Sequence, residues 1–275
     1  MRLWIEGTRP KTWIASISPV VIGTLLAPSI DWIIFTYTLM CALFIQMGTN
    51  LANDYYDCMQ GKDTSLRKGP RRLGGSGLVS KNRLFWMMSG TFFIGFVFSI
   101  FLILRGGWII LFMYALAIIL GIFYTKGPIH YAYKGLSEPI VLFFLGSVAV
   151  FFTTYLQTLE WRYYPLFVGL GPGCFSVALL ALNNLRDVEE DRLTQKNTLV
   201  VRYGERFGKI EITGALLAPF LITPSPCNIV LIPVLLPILK KLWNDEEIPH
   251  LLGKIGGAYI LYTLLYCIDA LVLWK

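Results

Sequence analysis

Residues 32–63 read WIIFTYTLMCALFIQMGTNLANDYYDCMQGKD, an apolar stretch that runs without a charge into an acidic end. About 20 mainly apolar residues in a row are enough to cross a bilayer as an α-helix. The carboxylates of Asp54, Asp57 and Asp63 follow where that helix reaches the membrane boundary. The stretch therefore predicts a transmembrane helix that carries an acidic cluster at one end.

The same pattern returns at the end of a second long apolar run. There Asn183 and Asp187 repeat the spacing of Asn50 and Asp54, and Asp191 follows four residues later. Carboxylates three or four positions apart on a helix share a face. Two such faces, brought together at the membrane boundary, predict a site for divalent cations such as Mg²⁺ and, through them, for a diphosphate.

Composition and hydropathy place the chain among membrane proteins. Of its 275 residues, 55% are hydrophobic and only 15% are charged, and the mean hydropathy is +0.60. Apolar runs occupy residues 12–29, 32–52, 84–104, 107–125, 138–157, 163–185, 210–223, 227–241 and 252–273. They predict an all-α, polytopic membrane protein of about nine transmembrane helices, bundled around a central cavity that faces the cytoplasm. Eight helices are the alternative, because the seventh and eighth runs are short and rich in proline.

The positive charges are distributed very unevenly between the two membrane faces. With nine spans, all Lys and Arg residues except Arg105, Arg162 and Lys275 fall on the side that carries both acidic clusters. Cytoplasmic loops carry such an excess, so the N-terminus and both acidic loops are predicted to be cytoplasmic. This bias also accounts for the net charge of +7, and no nucleic-acid partner is expected.

The two longest polar stretches, 54–83 and 186–209, divide the chain in a regular way. Each follows the second helix of a predicted four-helix half, about 1–125 and 126–250, and a final helix completes a single domain, 1–275. Four helices separate the two loops, so both emerge on the same side as a parallel repeat. An inverted repeat, which is common in transporters, would place them on opposite sides. The sequence leaves the oligomeric state open.

Seven segments of the chain resemble one known family. They are RPKTW (9–13), NLANDYYD (50–57), GKD (61–63), GPRR (69–72), YTKGPIHYAYKGLSE (124–138), TTYLQT (153–158) and NNLRDVEEDRLTQKNTLVVRYG (183–204). Together they resemble the UbiA-type intramembrane prenyltransferases and, within that superfamily, the 1,4-dihydroxy-2-naphthoate polyprenyltransferases of menaquinone synthesis. The resemblance covers about residues 8–208.

The resemblance implies an all-helical bundle whose intramembrane cavity is capped by cytoplasmic loops. The residues it assigns to the Mg²⁺–diphosphate of a polyprenyl donor are Asn50, Asp54, Asp57, Asp63, Asp187 and Asp191. The expected reaction transfers the polyprenyl group to 1,4-dihydroxy-2-naphthoate, releases CO₂ and diphosphate, and gives demethylmenaquinone. The expected location is the bacterial cytoplasmic (inner) membrane, with the lipid bilayer around the helices.

This chemistry needs positive charge beside the leaving diphosphate and electron-rich rings beside the allylic cation. The cationic candidates are Arg72, Lys126, Lys134 and Lys196. Asn50 and Asn183 are candidates for orienting a cation through their amide carbonyl oxygens. The ring candidates are Tyr124, Tyr131 and Tyr133.

Two further acids lie inside predicted spans. Glu138 opens the fifth span and Asp269 lies in the ninth. Acids within a membrane are functional candidates. Asp269 is close to the chain end, so an interfacial or structural role is expected there.

Other functions fit parts of this pattern. A different aromatic acid, 4-hydroxybenzoate or 1,4-dihydroxy-6-naphthoate, is an alternative acceptor. A divalent-cation-dependent transporter is the alternative from another class, but it would need charged residues near mid-membrane. A non-catalytic quinone- or isoprenoid-binding protein would not need both acidic clusters.

The charge distribution predicts the orientation of the chain in the membrane. In a background without native cysteines, single cysteines at Ser65 and Lys196 should react with impermeant thiol reagents only from the cytoplasmic side. Labelling of either position from the opposite side would contradict both the topology and the facing acidic clusters.

Overall fold

The computed structural model describes residues 2–61, 69, 72–126, 130–223 and 226–273, and the regular structure in those ranges is entirely helical. Twelve α-helices follow one another there: α1 Arg2–Gly7, α2 Ile14–Leu25, α3 Trp32–Met59, α4 Lys81–Gly106, α5 Trp108–Phe123, α6 Ser137–Thr158, α7 Tyr164–Arg186, α8 Val188–Leu193, α9 Leu199–Tyr203, α10 Glu205–Ile222, α11 Ile232–Trp243 and α12 Ile248–Leu273. Short 3₁₀ turns lie at Pro10–Thr12, Tyr131–Tyr133 and Pro226–Leu231.

Five of these helices, α3, α4, α6, α7 and α12, are long and apolar enough to cross a membrane. Helices α2 and α5 are apolar but shorter, and α10 and α11 occupy the two proline-rich runs as separate helices. Each predicted apolar run thus contains one helix of the described structure. The prediction of an all-α, polytopic membrane protein is confirmed, while the division into two repeated halves stays a prediction.

Helix α3 begins at a capping side chain. Asp31 Oδ1 accepts hydrogen bonds from the backbone N–H groups of Ile33 and Ile34, at 2.9 and 3.1 Å, which satisfies donors that have no partner within the helix. The helix then continues for 28 residues. It is longer than its apolar stretch, so its last turns carry Asn50 and Asp57 as part of the same rigid element.

Helices α6 and α7 touch backbone to backbone. A methyl group at Gly146 would collide with the carbonyl oxygen of Gly169, and one at Gly173 would collide with the carbonyl oxygen of Leu142. Small residues permit such close approach between membrane helices. Helix α6 contains a π-helical segment at Phe143–Val148 beside this contact. The approach holds the start of α6 next to the end of α7.

The opposite side of α7 packs against α12 through buried aromatic rings. The ring centroid of Phe175 lies 5.0 Å from that of Tyr259, in a stacked arrangement, and 4.9 Å from that of Tyr262. The Tyr259 hydroxyl donates a hydrogen bond of 2.7 Å to the carbonyl oxygen of Pro172. Helix α7 is therefore held on two sides, and the acidic cluster at its end is fixed relative to the bundle.

The glycine contact gives a prediction for stability. Gly146→Ala should destabilise the protein by about 1–3 kcal/mol, because the added methyl group overpacks the α6–α7 contact. Gly214→Ala in α10 is the matched control, since its new methyl group would meet open space, and it should leave stability unchanged or raise it. Thermal unfolding in detergent measures both variants. Equal stability of the two would contradict the backbone contact.

Candidate active site

A cavity of about 730 Å³ lies between α2, α3, α5, α6 and α7. Its polar part includes the charged residues Asp57, Arg72, Arg186, Asp187, Asp191 and Lys196. Its apolar part includes Ile45, Leu120, Val141, Phe144, Leu179 and Leu180. A cavity with these two parts suits an amphipathic molecule that has an anionic end.

Asp57 lies in the last turn of α3, buried at one edge of the cavity. Arg72 forms an ion pair with it at 2.7 Å, and the Tyr133 hydroxyl donates a hydrogen bond of 3.1 Å to Asp57 Oδ1. Burial and the adjacent Asp57 charge raise the pKa of Tyr133 above its usual range, so its hydroxyl remains a donor. Three residues predicted from separate parts of the sequence thus meet at one point.

Asp187 lies at the joint between α7 and α8. Arg186 holds its carboxylate with two hydrogen bonds, from Nε at 2.8 Å and from Nη2 at 2.6 Å. Paired bonds of this kind are the strong form of the Arg–carboxylate interaction. Gly69, from the loop after α3, packs so closely that a Cβ atom there would lie 2.6 Å from Arg186 Nη2 and 3.2 Å from Asp187 Oδ2. The first loop therefore contacts the second acidic cluster.

Asp191 completes the polar part together with Lys196. The Lys196 Nζ atom lies 3.2 Å from both carboxylate oxygens. Burial raises the pKa of Asp191, and the neighbouring Lys196 charge opposes that shift. Burial works against the charged form of Lys196, but Tyr124, Asp191 and Asp57 together raise the pKa of that amine. Lys196 is therefore a cation whose positive charge is stabilised by carboxylates of both acidic clusters.

Asn50 and Asn183 both line the cavity, and each uses its amide nitrogen within the protein. The Asn50 Nδ2 atom donates to the Thr8 carbonyl oxygen at 2.9 Å and to Thr12 Oγ1 at 3.0 Å. The Asn183 Nδ2 atom donates to the Leu179 carbonyl oxygen at 2.9 Å. In the described part of the chain neither amide oxygen accepts a hydrogen bond, so both remain available to a ligand.

The structure does not bring every predicted residue into the cavity. Lys126 is exposed, with its Nζ atom 4.7 Å above the ring of Tyr56, and Lys134 is exposed while its carbonyl oxygen accepts from Arg202 at 2.7 Å. The role of these two lysines at the diphosphate therefore stays a prediction.

The remaining predicted acids and rings are placed as follows. Asp54 is buried beside the cavity, where its Oδ2 atom accepts from the backbone N–H of Leu73 at 2.8 Å. Its role as a metal ligand stays a prediction. Asp63 lies outside the described residues. Tyr124 and Tyr131 line the cavity, with ring centroids 5.5 Å apart in an edge-to-face arrangement.

Sequence reasoning missed several lining residues. Arg186 is one of the basic residues around Asp187 and Asp191 in the sequence, but it was not predicted as a site residue, because helical spacing favours partners three or four positions apart and not adjacent ones. Arg9 and Lys11 also line the cavity, and the RPKTW segment was their available signal. Asn184, adjacent to the predicted Asn183, lines it as well.

The carboxylates do not form a preformed metal cage. Within the ranges that the structure describes, no three His, Cys, Asp or Glu side chains lie close enough to hold a metal ion. The donor set nevertheless fits Mg²⁺, which prefers oxygen ligands and is usually held by one or two carboxylates together with the phosphates of a substrate.

The bundle and its cavity define a polytopic membrane protein with a site suited to an amphipathic anion. The chain belongs to the UbiA prenyltransferase family, which it matches over residues 16–243. The resemblance inferred from the sequence motifs is therefore confirmed, and the protein is a prenyltransferase.

Two similar relatives share one name. It is 33% identical to the 1,4-dihydroxy-2-naphthoate octaprenyltransferase of Mycobacterium leprae, over 95% of this chain and 93% of the relative. It is also 33% identical to the enzyme of that name from Haemophilus influenzae, over 76% of this chain and 72% of the relative.

Solved structures share the fold at low sequence identity. The apo structure of a UbiA homologue from Aeropyrum pernix K1 matches with a TM-score of 0.69 and 13% identity, over 95% of this chain and 98% of that one. A UbiA homologue from Archaeoglobus fulgidus, bound to GPP and Mg²⁺, matches with a TM-score of 0.60 and 14% identity, over 98% of this chain and 99% of that one.

Proposed function

We propose that this protein transfers a polyprenyl group from polyprenyl diphosphate to 1,4-dihydroxy-2-naphthoate, releasing CO₂ and diphosphate and giving demethylmenaquinol, the reduced form of demethylmenaquinone. The observation that carries the proposal is the convergence of three carboxylate–cation pairs from both halves of the chain on one cavity with an apolar part. The names of the two relatives reported above, both 1,4-dihydroxy-2-naphthoate octaprenyltransferases, support the choice of aromatic acid.

Mg²⁺ is the proposed metal. Asp57, Asp187 and Asp191 would hold it together with the diphosphate, and the solved relative with GPP and Mg²⁺ supports this choice. When bound, the metal neutralises charge that develops on the leaving diphosphate. Asp54 and Asp63 remain proposed contributors to the same site.

The basic residues of the cavity have a second use once the carboxylates engage a metal. In the described part of the chain Arg72 pairs with Asp57, Arg186 with Asp187 and Lys196 with Asp191. When those carboxylates turn to the metal, the same cations can turn to phosphate oxygens, for which guanidinium and ammonium groups are suited. The chain thus supplies the positive charge that a departing diphosphate needs.

The reaction breaks the C1–O bond of the donor, and its electron pair leaves with the diphosphate. The resulting allylic cation is stabilised by the ring faces of Tyr124 and Tyr133, which line the cavity. The aromatic carbon that bears the carboxylate attacks C1 and forms the new C–C bond. The carboxylate then leaves as CO₂ and returns the electron pair of its bond to the ring.

The apolar part of the cavity accommodates the prenyl chain. Its lining comes from α3, α5, α6 and α7, and the surrounding helices are apolar enough to lie in lipid. We place the protein in the bacterial inner membrane with the charged end of the cavity toward the cytoplasm, in accordance with the distribution of Lys and Arg.

Product analysis tests the proposal directly. Purified protein with Mg²⁺ and a polyprenyl diphosphate should convert 1,4-dihydroxy-2-naphthoate to the prenylated, decarboxylated product, identified by mass. Parallel reactions with 4-hydroxybenzoate and 1,4-dihydroxy-6-naphthoate test the alternative acceptors. EDTA should abolish turnover. Undiminished turnover after rigorous metal removal, or prenylation of only another acid, would contradict the corresponding part of the proposal.

The two acidic clusters are expected to act as one unit. Asp187→Asn should lower kcat/KM by about a hundredfold, the effect of one lost transition-state contact of about 2.7 kcal/mol. Residues of one catalytic unit are non-additive, so adding Asp57→Asn should then cost much less than it does alone. Glu189→Gln, an exposed acid in the same loop, is the control and should stay near wild type. Simple additivity of the two penalties would mean two separate sites.

A further inference from the structure

A buried hydrogen bond joins α6 to α7 just behind the cavity. The Asn184 Nδ2 atom donates to Glu138 Oε1 at 3.0 Å. Asn184 is 2% exposed and lines the cavity, whereas Glu138 is 6% exposed and stands behind it. Neither residue belongs to the three carboxylate–cation pairs described above.

This bond determines which atom Asn184 turns to the cavity. A side-chain amide has one nitrogen that donates and one oxygen that accepts. The nitrogen is committed to Glu138, so the carbonyl oxygen is the group that faces the space. Among the described residues no donor occupies that oxygen. Asn184 therefore presents a hydrogen-bond acceptor to a ligand.

The position of this acceptor within the cavity is informative. Asn184 precedes Asp187 by three residues, so it lies one turn deeper on the same face of α7. Val141 and Leu180 of the apolar part line the cavity as well. The acceptor thus lies between the charged end and the apolar part, and an aromatic ring bound to it would lie beside the proposed diphosphate site.

Burying the Glu138 carboxylate costs folding free energy, so it is an unfavourable way to hold two helices together. Its Oε2 atom has no hydrogen-bond partner in the described part of the chain, and a buried polar atom without a partner destabilises a fold. Glu211 of α10 and Lys196 both lie within electrostatic range of it. The glycine contact already joins α6 to α7, so the carboxylate is not required for that purpose. Local costs of this kind are expected at functional sites.

We infer that the Asn184 amide oxygen binds a ring hydroxyl group of the aromatic acceptor, and that Glu138 is the positioning residue that orients this amide. The inference rests on the proposed function and extends it to acceptor specificity. A hydroxyl group donates to the amide oxygen, whereas a hydrogen atom or a carboxylate in the same place does not. The pair thus selects hydroxylated aromatic acids.

Equilibrium binding measures this selection without any turnover. The probes are 2-naphthoate, 1-hydroxy-2-naphthoate and 4-hydroxy-2-naphthoate, titrated into the purified protein with Mg²⁺ and inorganic diphosphate but no prenyl donor. The wild type should bind at least one hydroxy acid about tenfold more tightly than 2-naphthoate, as expected for one hydrogen bond in a dry site.

Two double variants distinguish the effect of the acceptor atom on binding from the effect of the interhelical contact. Glu138→Gln/Asn184→Leu keeps the volume and leaves no buried carboxylate without a partner, but it removes the acceptor. It should bind the hydroxy acids and 2-naphthoate about equally. Glu138→Gln/Asn184→Asp reverses the pair: the Gln amide donates to the new carboxylate, whose second oxygen faces the cavity. That variant should retain the hydroxyl preference.

The outcomes are distinct. A hydroxyl preference that survives in Glu138→Gln/Asn184→Leu, or that the wild type lacks, overturns the inference. If thermal unfolding shows that this variant does not fold, Glu138→Gln/Asn184→Ala decides: equal binding of the hydroxy acids and 2-naphthoate supports the inference, and a surviving hydroxyl preference overturns it. A wild type that transfers a prenyl group yet shows no hydroxyl preference contradicts this inference alone. A wild type that prenylates no aromatic acid contradicts the proposed function.

Discussion

Buried carboxylates need opposite charge beside them, because the loss of hydration is not repaid otherwise. Asp57, Asp187 and Asp191 meet this requirement with Arg72, Arg186 and Lys196 respectively. These three described pairs thereby carry no net charge among themselves. Under the proposed function, a divalent cation and an anionic diphosphate would also bring charges of opposite sign, with which the carboxylates and the basic side chains could exchange partners.

The surrounding helices maintain this balance of charge because they place the ion pairs at the ends of rigid elements. Asp57 lies at the end of α3 and Asp187 at the end of α7, and the latter is held by α6 on one side and by α12 on the other. Gly69 brings the first loop onto Arg186 and Asp187. Charged groups from distant parts of the chain therefore share one small volume, while the apolar part of the cavity is formed by the same helices nearer their centres.

The sequence was sufficient to predict features that follow from helical periodicity. Asp57, Asp187 and Asp191 were placed together because each ends or follows an apolar span, and the cavity contains all three. The role of Lys126 and Lys134 at the diphosphate stays a prediction, and both side chains are exposed. The direction of Lys134 depends on the 3₁₀ turn before it and on Gly135, whose φ of 65° favours glycine. Neither property can be read from the spacing of charges.

Arg186 shows a different limit of prediction from the sequence. Its partner is the next residue in the chain, and the pairing exists only because the helix breaks at Asp187, with φ −99° and ψ 15°. A continuous helix would point neighbouring side chains in directions about 100° apart. The fold class could thus be predicted from composition, whereas the partners of individual charges required the positions of the helix ends.

The π-helical segment of α6 makes the two ends of that helix dependent on the number of residues between them. Before the segment, Ile140 and Val141 face the cavity. After it, Thr154 bonds the Gly23 carbonyl oxygen of α2. A π turn holds one more residue than an α-helical turn, so this segment takes up an extra residue while the two ends of the helix keep their directions. If the same six residues wound as a regular α-helix, one end would rotate about 100° relative to the other. Either the cavity wall or the α2 contact would then face the wrong way, so the length of the segment requires its π-helical winding.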